Sequence, residues 1–275
     1  MKNIERALMK SIEELRKKSG QKLPSRPRIA FLDIETAPNL GWFWEMWETN
    51  PIGVKTNWHL LSFSVKIMGE KKVRTYALPD YPIYKRNKEE DKFLVQDLWK
   101  VMNEADIIIA HNGDNFDIRK SNARFIFHRM RPPAPYKTID TLKIARKHFK
   151  FDSNKLSSLG KYLGVGDKIP TTGAHLWFGC MNGDMKSWAT MRAYNEQDVN
   201  LLEQVYLRLR PWSTTHPNLS LISRDVRACP NCQGHKLQRR GYCFGAAKKL
   251  ARLQCQDCGK WSSMPVESVE KVVLK

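Results

Sequence analysis

The sequence predicts an α/β protein in which helices flank a mixed sheet, followed by a small unit organised by cysteines. Three observations lead there. Apolar runs of strand length come first and then alternate with segments of helical period. Glycine and proline separate these runs. Two Cys-x-x-Cys pairs, Cys229/Cys232 and Cys255/Cys258, stand in the last 52 residues.

The elements follow in chain order. Ile4, Leu8, Ile12 and Leu15 form a helical stripe, so residues 1–25 read as a short basic helical arm and a linker broken by Gly20 and Pro24. Residues 28–36, RIAFLDIET, read as a buried strand, and 60–68 with 72–78 as a hairpin around Gly69 and Glu70. Residues 87–105 have Phe93, Leu94, Leu98, Val101 and Met102 at helical spacing, with acidic residues expected in the first turn. DIIIAHN, 106–112, is a short buried strand, and 115–130 a helix stopped by Pro132 and Pro133. KTID, 137–140, reads as a strand, and TLKIARKHF and KLSSLGKYLG as helices. Five glycines make 164–185 a long loop in this reading, and 186–210 is a long helix ended by Pro211. The main domain is expected over 26–215 and the cysteine unit over 224–275.

The 275 residues are 41% hydrophobic, enough for a packed core, so wholesale disorder is excluded. No apolar run approaches the ~18–20 residues of a membrane span. The first residues lack the apolar stretch of a secretory signal, and Glu5, Glu13 and Glu14 interrupt the basic residues that a presequence would need. A cytoplasmic protein without a membrane partner is the expectation. The formal net charge is +19, and the last 52 residues carry eleven Lys and Arg against four Asp and Glu. A charge of this size and sign points to a polyanionic partner, with nucleic acid the commonest.

The carboxylates supply the chemistry. Asp33 and Glu35, two apart on the first strand, share a face and can meet one metal ion. Tyr194 and Asp198, four apart on the long helix, also share a face. In AHNGDNFDIR, Asp117 begins a helix after a buried strand, and Asp114 is a rival that could instead cap the helix end. Taken singly, each signal is weak: Asp33 and Glu35 read more simply as two solvated carboxylates, and Tyr194 with Asp198 as a surface pair or a packed tyrosine.

In this order the three resemble the motifs of the DEDD, or DnaQ-like, superfamily of 3′–5′ exonucleases. Asp-x-Glu matches Asp33 and Glu35. The second motif matches Asn112, Phe116 and Asp117, which favours Asp117 over Asp114. Tyr-x-x-x-Asp matches Tyr194 and Asp198, and Ala193 stands where a sister subgroup has histidine, so the chain resembles the tyrosine subgroup. The resemblance covers roughly 28–210. It implies an RNase H-like fold and two Mg²⁺ or Mn²⁺ ions held by Asp33, Glu35, Asp117 and Asp198, with Tyr194 orienting the attacking water. Single-stranded DNA is the first substrate expected and RNA the second. A nucleic-acid or partner-binding module with a vestigial site is the different-class rival. Proofreading would require a replication or repair partner, because the chain shows no polymerase region.

Other residues carry weaker signals. Thr36 and Asn112, beside the carboxylates, are candidate nucleic-acid contacts. Trp42, Phe43, Trp44 and Trp47 could stack on unpaired bases, Trp42 and Trp44 first among them. A hydrophobic plug over the sheet edge is the plainer role for any one of them. Lys168 could touch a phosphate or simply be solvated. Cys229, Cys232, Cys255 and Cys258 have the spacing of two knuckles around one structural Zn²⁺, and the segment resembles a zinc ribbon. Arg239, Arg240, Lys248 and Lys249 between the knuckles give it a basic surface suited to phosphates, with a protein contact as the rival role.

Overall fold

A computed structural model describes residues 27–223, 225 and 227–266. The expected N-terminal helical arm lies outside the described residues. Five strands form the main sheet: β1 Ile29–Thr36, β4 Leu60–Ile67, β5 Arg74–Ala77, β6 Ile107–Ala110 and β7 Lys137–Asp140. Their order is β5-β4-β1-β6-β7. β1 is central, antiparallel to β4 and parallel to β6, so the sheet is mixed as the sequence predicts.

The alternation of β1 explains why both faces are covered. Ala30, Leu32 and Ile34 enter a core with Leu94, Leu98 and Met102 of helix α1 (Lys92–Glu104) and Phe125 of α2 (Asp117–Phe127). Ile29 and Phe31 point the other way, into a core with Ile144 of α3 (Thr141–His148) and Leu159 of α4 (Leu156–Tyr162). Val199, Leu202 and Tyr206 of a later helix, α6 (Met185–Leu209), join this second core. At 25 residues α6 runs about 37 Å at 1.5 Å per residue, long enough to serve both cores, and its Trp188 and Met191 sit in the first.

Three expectations need correction. The stretch 164–185 is not all loop, because Ala174–Asn182 is a helix, α5. Its glycines stand mostly at the ends: Gly173 is the N-cap, and Gly183, at φ +87°, closes the helix in the left-handed conformation that a side chain would strain. Helix α1 starts at Lys92 rather than 87 and has no acid in its first turn. Glu89 and Glu90 lie in the preceding turn, and Asp91 is the N-cap. Finally, the aromatic run does not plug the sheet edge. It belongs to a separate two-stranded hairpin, β2 Leu40–Trp42 with β3 Gly53–Thr56, on which Trp44 and Trp47 are 81% and 89% exposed.

The C-terminal segment forms a three-stranded antiparallel sheet of β8 Leu237–Phe244, β9 Lys249–Cys255 and β10 Trp261–Pro265. It is tied to the segment after α6 by three hydrogen bonds: Lys260 Nζ to the Ser213 carbonyl, Leu219 N to the Pro230 carbonyl, and Gln233 Nε2 to the Leu219 carbonyl. Among the described residues no helix is long and apolar enough to cross a membrane.

Candidate active site

The carboxylates gather at the C-terminal end of β1. Asp33 and Glu35 lie on its Phe31 face, which α6 covers, so Asp198 on α6 comes down onto them. Oxygens of Asp33, Glu35 and Asp198 all lie within 4.8 Å of one another. Asp117 opens α2 with its Oδ1 accepting from the Ile34 amide at 3.0 Å, which holds it beside β1. The close approach needs Gly113, since a Cβ there would lie 2.3 Å from the Ala110 Cβ. The rival Asp114 neither joins the cluster nor caps α2; its Oδ2 accepts from Lys143 at 2.6 Å. Asp140 caps α3 and takes the Asn112 amide at 2.9 Å, fixing the turn that carries the second motif.

Sequence reasoning missed two supporting side chains. Asn195 is fully buried, and its Nδ2 donates to Asp33 Oδ2 at 2.5 Å while its Oδ1 accepts from Ser62 at 3.3 Å. Its position three residues before Asp198, hence on the same face of the helix, was the available signal. Trp177 Nε1 donates to Glu35 Oε2 at 3.2 Å, from the helix read as loop. Lys168 is not simply solvated. Its Nζ donates to Asp198 Oδ2 at 2.5 Å and to Tyr194 Oη at 2.9 Å.

Crowding four acids in a buried place leaves the charged forms short of compensation. Burial, then repulsion from Glu35, Asp117 and Asp198, raises Asp33 well above the carboxylate range. Burial and the Asp198 charge push Glu35 up to about 8, and burial pushes Asp117 up to about 7. Burial also raises Asp198, against the pull of Lys168. Burial and then Asp198 push the Tyr194 phenol up to about 12, so it stays protonated at neutral pH. For Lys168 burial works downward, but Asp198 outweighs it and the ammonium is held charged. Asp198 Oδ1 is buried and has no hydrogen-bond partner among the described residues. A hard divalent cation suits this donor set: it takes oxygen ligands, fills the orphaned acceptor, and supplies the positive charge that the acids lack.

Two clefts flank the carboxylates. One, of about 420 Å³, is lined by Thr36, Asn39, Trp58, Lys120, Trp177 and Phe178. The other, of about 510 Å³, is lined by Asn112, Arg146, Asn154, Lys155, Ser157 and Lys168, among others. Trp42 and Trp44 lie instead on the exposed hairpin.

The second cluster is sulfur. Cys229, Cys232, Cys255 and Cys258 all lie within 4.8 Å of one another, with Sγ–Sγ separations of 3.7 Å for Cys229–Cys258 and Cys232–Cys255. A tetrahedral zinc with ~2.3 Å bonds has edges of about 3.8 Å, so the thiols fit one zinc ion. Backbone amides of Asn231 and Gly234 donate to Cys229 and Cys232. The cluster is compatible with a zinc ribbon. Arg239 and Arg240 on β8, Lys248 in the turn and Lys249 at the start of β9 are exposed, and Arg239 and Lys249 lie 4.8 and 4.0 Å from the Tyr242 ring.

The fold and the family now meet. The model of the RNase H superfamily matches residues 47–210, more than half of the chain. The chain belongs to the RNase H superfamily. The matched span holds Asp117, Tyr194 and Asp198, and the sheet completes the RNase H-like fold by placing Asp33 and Glu35 against them. Among solved structures it is similar to the family B DNA polymerase from the hyperthermophilic archaeon Pyrobaculum calidifontis, at a TM-score of 0.51 and 13% identity. The likeness covers 74% of this chain and 28% of the polymerase, and at that identity it concerns the fold. No curated protein matches the chain in sequence.

Proposed function

We propose that the chain is a metal-dependent 3′–5′ exonuclease of the DEDD type, tyrosine subgroup, acting on single-stranded DNA. One observation carries the reading: three motifs far apart in sequence bring Asp33, Glu35 and Asp198 within 4.8 Å, beside buried Asp117, and leave Asp198 Oδ1 unpaired. Asp33, Glu35, Asp117 and Asp198 would hold two Mg²⁺ or Mn²⁺ ions, whose charge would stabilise the attacking and leaving oxygens of the phosphodiester. The protonated Tyr194 hydroxyl orients water, since a phenol held at about 12 is no base at neutral pH. Asn195 and Trp177 hold Asp33 and Glu35 in place. Residues 26–215 form the catalytic unit. Residues 224–275 form a zinc ribbon whose Arg239, Arg240, Lys248 and Lys249 grip phosphates.

A second reading, an RNA strand, is favoured by Asn154. Its Oδ1 is buried without a donor beside the 510 Å³ cleft, and a ribose 2′-hydroxyl supplies the donor that deoxyribose lacks. Purified protein with Mg²⁺ or Mn²⁺ is tested on matched single-stranded DNA, duplex DNA and RNA labelled at either end. Mononucleotides released from the 3′ end, and lost with the metal, are the expected result. No cleavage of any strand with either metal overturns the nuclease reading.

A further inference from the structure

The hairpin of β2 and β3 exposes Trp42, Phe43, Trp44, Met46, Trp47 and Ile52, each by 47% or more. At ~150–250 Å² for an aromatic side chain this is on the order of 800 Å² of apolar surface, against the ~300–600 Å² of the largest patch on a typical monomer. Covering it removes that area from water, which is favourable in proportion to the area. The shape to be covered is fixed beforehand by bonds within the hairpin. The Ile52 amide donates to the Trp42 carbonyl at 2.9 Å, the Glu48 amide to the Glu45 carbonyl at 3.3 Å, and the Trp44 amide to Glu48 Oε2 at 3.3 Å.

Charge narrows the choice of cover. Glu45 and Glu48 are the only charged residues between Leu40 and Val54, in a chain whose net charge is +19. A polyanionic strand meets two acids there and no cation to neutralise its phosphates. A second copy laid hairpin to hairpin brings like charges together on an apolar interface. The complementary cover is apolar along one side and basic around it.

Residues 1–25, which lie outside the described residues, have that composition. Ile4, Leu8, Ile12 and Leu15 recur at helical period, and seven Lys and Arg stand against three Glu. Their reach is sufficient. Eight residues join Lys18 to Pro27 and extend up to ~28 Å, about the ~26 Å that the eight residues of β1 cover. The hairpin opens four residues beyond β1, and a helix over the stripe adds about 18 Å. A segment on the same chain also stands at an effective concentration on the order of millimolar, which an unlinked partner lacks.

We propose that the N-terminal arm folds back onto the hairpin of its own chain, with the stripe from Ile4 to Leu15 against Trp44, Met46 and Trp47 and its basic residues beside Glu45 and Glu48. The proposal is independent of how the carboxylates are read, since neither the arm nor the hairpin contributes one of them.

The test is hydroxyl-radical footprinting of the full chain, read by mass spectrometry, because oxidation of exposed Trp and Met follows their accessibility. Wild type is compared with Leu8→Asp/Ile12→Asp at low and high protein concentration. Labelling of Trp44, Met46 and Trp47 is expected to be about fivefold faster in the variant. Trp212, exposed and away from the hairpin, should label equally in both, and Trp188, buried in the core, should stay unlabelled and report an intact fold. The milder Leu8→Ser/Ile12→Ser should move the hairpin residues in the same direction. Reciprocally, Trp44→Ser/Trp47→Ser should speed labelling over residues 4–15. Equal labelling of the hairpin in wild type and both arm variants would overturn the proposal. Hairpin protection that appears only at high protein concentration would overturn it in favour of a neighbouring copy. Protection that requires added oligo(dT), and is the same in the arm variants, would overturn it in favour of a nucleic-acid strand.

Discussion

The Lys168 ammonium lies 2.5 Å from Asp198 Oδ2 and 2.9 Å from the Tyr194 hydroxyl. A protein cation thus occupies one oxygen of a carboxylate whose other oxygen is buried without a partner. Lys168 lowers the cost of leaving four acids together, and it competes with any cation that the acids would bind.

Removing that competitor has two opposed effects. Lys168→Met should tighten Mn²⁺ binding, because one positive charge leaves the site. It should also lower turnover about tenfold or more, because the Tyr194 hydroxyl loses its fixed partner. Calorimetric Mn²⁺ titration and single-turnover cleavage read the two separately. Weaker metal binding in the variant would show that Lys168 shapes the site rather than opposing the metal.

Asp33→Ala should abolish cleavage while the fold persists. The lost ligand is worth several kcal/mol of transition-state stabilisation, about a hundredfold or more in rate. Turnover near wild type in the folded variant would exclude Asp33 from the chemistry.

Tyr194→Phe keeps the ring and removes the hydroxyl. Turnover should fall about ten- to a hundredfold, with metal affinity nearly unchanged, since the phenol bonds Lys168 and holds no metal in this scheme. Metal affinity and cleavage measured side by side decide it; a collapse of metal binding would assign Tyr194 a different role.

The raised acids set a pH dependence. Their folded pKa values, about 8 for Glu35 and about 7 for Asp117, exceed the unfolded values near 4. Between these limits the folded state binds more protons than the unfolded one, so these groups make the metal-free protein less stable as pH rises from about 4 to 8. Mg²⁺ or Mn²⁺ should reverse the trend. Thermal melts in chelator at pH 5 and 8 should show a smaller pH effect in Glu35→Gln than in wild type; an equal effect would place the linkage elsewhere.

The four thiols should hold one zinc per chain, and stripping it should release the β8–β10 sheet, since so small a sheet has little core of its own. Elemental analysis and limited proteolysis before and after a strong chelator provide the check. A sheet equally protease-resistant without zinc would show that packing alone suffices.

The sequence by itself determined the strands and most helices, because period and punctuation are local properties of the chain. β1, β4 and β6, and the long α6, are legible as apolar runs and helical stripes. It also marked Asp33, Glu35, Asp117, Tyr194, Asp198 and the four cysteines as candidates, since their short spacings already put each pair on one face. Tertiary structure decided what those candidates meet. Asp33 reaches Asp198 across 165 residues because β1 is the central strand and α6 crosses its Phe31 face, and no local pattern encodes that pairing. The same holds for Asn195 against Asp33, Trp177 against Glu35 and Lys168 against Asp198. Lys168 and Trp177 stand in the stretch whose glycines suggested a loop, and Asn195 is one polar residue among several on the long helix. The aromatic run shows the converse: four large rings predict burial, yet among the described residues nothing covers Trp44 or Trp47, so burial was decided by neighbours rather than by hydrophobicity.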